Sequence, residues 1–144
     1  MKKLLLLTLL CFYFFLLSCA HQTVRTITES NNPVWTLQLE REIEDSVLCL
    51  ATLFDDLKFG FGLINTTYKH AISRKTKEGR FVLSSLEIFG ESRPLAVFEF
   101  KKEFVALRVQ DSNAVSIFKK GWRNHPGNKK FLNVVLEDSK DCVK

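Results

Sequence analysis

Three histidines, His21, His70 and His125, are the first residues to weigh for chemistry, and they share no metal-ligand spacing. Zinc takes three or four convergent ligands, and His21 stands in the N-terminal stretch, apart from any folded core. The paired carboxylates are Glu40 with Glu44 and Asp55 with Asp56. General acid–base work needs a carboxyl shifted by burial or a close partner, whereas these fall on the polar side or end of an apolar pattern, where solvated charge normally sits. Ser84-Ser85 lacks the Gly-x-Ser-x-Gly turn of a hydrolase nucleophile. Asn65-Thr66-Thr67 is a formal glycosylation sequon that matters only for a eukaryotic chain. No catalytic constellation, metal site or cofactor is expected.

The N-terminus carries a membrane address. Met1-Lys2-Lys3 is a short basic start, and Leu4 to Leu17 is an apolar run broken only by Thr8. That is the layout of a secretory signal peptide, and it is short for a span of about 20 residues. The run ends in Leu16-Leu17-Ser18-Cys19, which resembles the lipobox of bacterial lipoproteins, with Leu17 a less typical occupant of its second place. The resemblance implies a diacylglycerol on the Cys19 sulfur, cleavage before it, acylation of the new amino group, and a membrane-anchored location in the cell envelope. Ala20 stands where the family's inner-membrane retention signal has Asp, which implies the outer membrane. The resemblance covers residues 1–19 only. Ser18-Cys19-Ala20 also fits ordinary signal peptidase, which would give a soluble chain starting at His21. An uncleaved anchor is a third arrangement.

With the leader removed and Cys19 acylated, Cys49 and Cys142 are the remaining cysteines. An even pair in an oxidising compartment implies a disulfide; the alternative is two free thiols, one buried and one on a frayed tail.

Lys and Arg number 21 against 16 Asp and Glu, a net charge of +5 that falls to +3 without Lys2 and Lys3. This is too mild for a strong nucleic-acid binder, and no nucleic-acid partner is expected. The charge is unevenly spread. From Glu29 to Asp56 seven acidic residues stand against Arg41 alone. Lys69, Arg74, Lys75, Lys77 and Arg80 then make one basic stretch, and Lys119, Lys120, Arg123, Lys129 and Lys130 another, the second around Trp122. Basic residues around an aromatic suit an anionic lipid head group, a polysaccharide phosphate or an acidic envelope protein. The plainer reading is solvated loop charge balancing an acidic helix, with Trp122 in the core.

The elements that position these residues follow from periodicity. Leu39, Ile43, Val47, Leu50, Phe54 and Leu57 mark one face of a helix, expected over about Leu37 to Leu57. The pattern allows Val34–Leu37 either to extend that helix or to form a short strand. From Phe59 on, short alternating runs separated by turns argue for an antiparallel meander. Lys77-Glu78-Gly79 reads as a hairpin turn with Gly79 at positive φ. Phe131 to Leu136 reads as the last strand. The expected organisation is a leader at 1–18, a lipidated N-terminus and tether at 19–33, and one globular domain at 34–144. That domain is α+β, one amphipathic helix on a five- or six-stranded antiparallel meander sheet, flat or curled as a half-barrel. The expected function is a non-catalytic interaction or structural module on a membrane. The alternative is a carrier or sensor holding an apolar ligand between the helix and a curved Phe-rich sheet.

Overall fold

The structure is a computed structural model that describes residues 23–60, 62–86, 92–110 and 126–144. It shows the α+β class: a six-stranded antiparallel sheet, curled into a half-barrel, with helices on it. The chain order is α1 (Val24–Ser30), β1 (Trp35–Gln38), α2 (Ile43–Phe54), β2 (Lys58–Phe59), β3 (Ile64–Ser73), β4 (Glu78–Ser85), β5 (Arg93–Lys101) and β6 (Phe104–Val109). A short 3-10 turn (Pro126–Asn128), α3 (Lys129–Leu136) and a second 3-10 turn (Asp138–Cys142) end the chain.

The sheet order is β1-β6-β5-β4-β3-β2. Strands β2 to β6 form the meander, and β1 adds to the outer side of β6. β1 and β2 therefore lie at opposite edges, and α2 carries the chain between them across the concave face. Ile43, Val47, Leu50 and Phe54 of α2 are buried in one cluster with Phe81, Leu83, Phe98, Phe100, Val105 and Leu107 of the sheet. Phe98 sits at its centre, with the rings of Phe54, Trp35 and Phe81 at 5.6, 5.9 and 6.0 Å.

The helix is shorter than its periodicity suggests. Leu37 belongs to β1, where Trp35 and Leu37 alternate inward opposite Leu107 and Val105. Leu39 and Leu57 still pack against the core, but from outside the helix. Leu39 N–H donates to Glu103 O (2.6 Å) and Glu40 N–H to Val143 O (3.0 Å), so their backbone bonds are taken by other segments. Asp56, at φ +56°, turns the chain after Phe54.

Phe131 to Leu136 is helical, which corrects the expected last strand. Phe131 and Val135 are both fully buried at the i, i+4 spacing of one helical face. The strand position beside β6 is already filled by β1.

The hairpin between β3 and β4 turns over residues 74–77, with Lys77 rather than Gly79 at positive φ (54°). Gly79 lies inside β4 for a different reason. A Cβ there would sit 2.7 Å from Ile72 Cα and overlap Ala71 O, both on the backbone of β3. Gly79→Ala is therefore expected to lower stability by about 1–3 kcal/mol, the usual size of an overpacking defect. Urea unfolding checks it; an unchanged midpoint would mean that the two strands part freely at this point.

The stretch expected to be a tether is partly folded. Thr23 and Thr26 form a capping box at the start of α1, and α1 packs against β5 and β6. Ile27 is fully buried, as is Val97 of β5, and neither belongs to the concave cluster. They form a small second core on the convex side. Asn31 Nδ2 donates to Val109 O (2.7 Å), and Arg108 donates through Nη1 to Asn31 O.

Candidate functional site

Cys49 and Cys142 are joined, with S–S 2.00 Å and Cα atoms 5.4 Å apart. The bridge ties α2 to the C-terminal 3-10 turn, and Arg41 Nε donates to Lys144 O (2.6 Å) beside it. Leu48, Leu53, Asp45, Asp138 and Asp141 frame a shallow cleft over the two cysteines.

Cys19, Lys119, Lys120, Trp122 and Arg123 lie outside the described residues. Lys129 and Lys130 open α3 and are exposed. This is the end of a helix where cations are least favoured by the backbone dipole. Asn128 Oδ1, just before them, accepts from Gly60 N–H (2.5 Å), which holds this corner against the turn after β2.

The charge asymmetry of the sequence is partly resolved within the fold. Arg74 Nε lies 2.9 Å from Glu44 Oε1. A groove of about 750 Å³ at the same end of the sheet is lined by Glu40, Glu42 and Asp45 with Arg41 among them, and by Lys75, Lys77 and Lys102 with Glu103 beside them. Much of the acidic stretch therefore faces much of the first basic stretch.

Sequence reasoning missed a second charged cluster, on the convex face. Glu99 is 8% exposed there. Lys101 Nζ stands 3.3 Å, Arg108 Nε 3.4 Å and Arg80 Nη2 4.0 Å from its carboxylate. The signal was present in the strand alternation, since Val97 and Glu99 share a face opposite Phe98 and Phe100, but only pairing with β4 and β6 gathers the cations. Arg108 connects this cluster to Asn31, so the ion pairs help to seat α1.

Two further surfaces among the described residues are open to partners. One is a cleft of about 460 Å³ between α2 and β3, lined by Glu44, Val47, Leu48, Ala51, Tyr68, His70, Ile72 and Arg74. His70 lies nearly parallel to Phe81 (6.4 Å, 5°), and Tyr68 stacks on the same ring at 5.2 Å. The other is the edge of β3 itself. The deeper space under α2 is filled by Phe54, Phe81, Phe98 and Phe100, each at most 1% exposed.

Comparison with protein-family models, curated proteins and solved structures finds no match for this chain. Among the described residues no helix is long and apolar enough to cross a membrane.

Proposed function

We propose that this chain is a bacterial-type lipoprotein: a leader cut at Cys19, a lipid on that cysteine, and a non-catalytic interaction module held on the envelope face of a membrane, by the Ala20 rule the outer one. Leu16-Leu17-Ser18-Cys19 supports the anchor. The bonded Cys49–Cys142 pair supports an oxidising compartment, the kind an exported chain enters. The observation that carries the choice between module and carrier is the filled concave face. A carrier needs an apolar cavity of several hundred Å³ to hold its ligand, and the described side chains under α2 pack ring against ring instead. Lys129 and Lys130, both exposed, are the two described residues of the basic stretch around Trp122, and they support an anionic surface as one partner.

Cys19→Ala tests the anchor. In cells fed a labelled fatty acid, the native chain takes up label and runs at its mature size. The variant should lose all label and keep its leader. A mature chain that starts at His21 without lipid would overturn the proposal.

A further inference from the structure

β3 pairs with β4 from Thr66 to Ser73, but with β2 only at Ile64 and Asn65. Among the described residues, no strand lies beyond it from Thr66 onward. In an antiparallel ladder a residue's N–H and C=O point to the same neighbour, and successive residues alternate. The phase is set by two bonds. Asn65 O accepts from Leu86 N–H, just past β4 (2.9 Å), and Thr66 N–H donates to Leu57 O on the β2 side (3.1 Å). Counting by twos, the N–H and C=O groups of Tyr68, His70 and Ile72 face the open edge. They repeat roughly every 6.8 Å, a period that only another extended polypeptide can match along its length.

Edges of this kind are usually blunted by proline, a bulge or charge. β3 contains no proline, and the irregularity of this sheet falls between Leu83 and Ser84, in the pairing of β4 with β5. Lys69, His70 and Ala71 are exposed along it. Beside the edge is the cleft floored by Val47, Ala51, Tyr68 and Ile72, with Leu48 of α2 66% exposed at its rim.

We propose that β3 is a self-association edge: two copies of this chain pair β3 to β3, antiparallel about a two-fold axis at His70, and one curled sheet runs on into the next. The strand is self-complementary in this register. Tyr68 stands opposite the partner's Ile72, and His70 opposite the partner's His70. All three positions point their backbone groups across the axis, giving six interchain hydrogen bonds. On the convex face Lys69 meets the partner's Ala71. Sliding the axis to Lys69 would set lysine against lysine, which is unfavourable for directly opposed strand residues. Aromatic against β-branched, as in Tyr68 with Ile72, is among the favourable cross-strand pairs. The pairing also brings both copies of Leu48 toward the joint. None of this depends on lipid at Cys19.

Cysteine crosslinking of the full chain, in whichever cell fraction holds it, reads the register directly. In the proposed dimer the Cα atoms at position 70 are about 5.5 Å apart, within disulfide range. Mild oxidation of His70→Cys should therefore give a covalent dimer well above the unsubstituted chain. Thr67→Cys alone should not, because its two copies would lie about 20 Å apart along the strands. Thr67→Cys mixed with Ser73→Cys should crosslink, since those positions face each other. His70→Pro supplies the second measurement. It removes a donor aimed at the open edge and leaves the ladder to β4 intact, a tolerated use of proline on an edge strand. Light scattering of the purified chain in detergent should fall from dimer to monomer mass, with circular dichroism unchanged. Equal crosslinking at positions 67 and 70, none at either, or a His70→Pro chain that stays dimeric would overturn the proposal. Crosslinks from His70→Cys to a different protein only would overturn it in favour of a foreign strand.

Discussion

Replacing Phe98 by alanine should cost the domain about 3–5 kcal/mol, the range for emptying an aromatic site in a packed core. Phe98 has no exposed surface and touches the rings of Trp35, Phe54 and Phe81, so its loss affects β1, α2 and β4 together. Trp35 is pinned from its other end, where Nε1–H donates to Leu136 O (3.1 Å). It cannot swing into the void without breaking that bond. Urea unfolding should show a large fall in midpoint with little change in slope, because the surface exposed on unfolding is nearly the same. Phe104→Ala is the matched control. Phe104 is 50% exposed, and its loss should stay within about 0.5 kcal/mol, as surface changes usually do. Equal effects at the two positions would mean that the concave face is not the core.

Breaking the Cys49–Cys142 bridge should be at least as costly. It closes a loop with a sequence separation of 93 residues, holding the whole β2–β6 meander and α3. In the chain-entropy picture, a loop of that length is worth about 4–5 kcal/mol through restriction of the unfolded chain. For a domain of this size that is a fall in Tm of roughly 12–20 °C. The double variant Cys49→Ala with Cys142→Ala reads it by calorimetry. Hydrogen exchange should locate the loosening: Glu40 N–H, bonded to Val143 O, should lose protection before the amides of β5. A Tm within a few degrees of the native chain would show that the C-terminal turn is held by packing alone. The same arithmetic gives a chain that is weaker wherever thiols are kept reduced, and stable where the bridge can form.

The sheet was legible because its strands carry their own punctuation. Phe98 and Phe100 alternate with Val97 and Glu99, and Lys101-Lys102-Glu103 closes the hairpin, so the meander follows from residues 78–109 alone. The α2 face was legible for the same reason, at Ile43, Val47, Leu50 and Phe54. Its ends were not. Leu39 fits a helical period from Ile43, while Leu37 and Leu39 also fit a strand period from Trp35, and the choice is made by β6, which offers Leu107 and Val105 as partners to Trp35 and Leu37. Phe131 to Leu136 failed likewise: Val134 and Val135 raise strand propensity, while Phe131 and Val135 at i, i+4 fit one buried face. Gly79 shows a different limit. A glycine in a turn-like string suggests positive φ, and here it answers to crowding by Ile72, which sequence alone cannot show. The Glu99 cluster draws its cations from three strands, and no local pattern announces such a meeting. Among site residues, the cysteine pair was legible by counting, because the proposed cleavage and acylation at Cys19 leave two cysteines to pair.

The seating of α1 on the convex face sets how far the module can reach. A free tether from Cys19 to Pro33 would extend about 50 Å at full stretch. With α1 docked, only the steps from Cys19 to the capping residue Thr23 remain, about 14 Å. A domain of this size is about 35 Å across, so with Cys19 in the bilayer as proposed, its far surface stays within roughly 50 Å of the lipid. Such a module is confined to a shallow layer above its membrane and searches for partners sideways. What it meets must share that bilayer or lie close against it, and a target across a wide compartment must come to it.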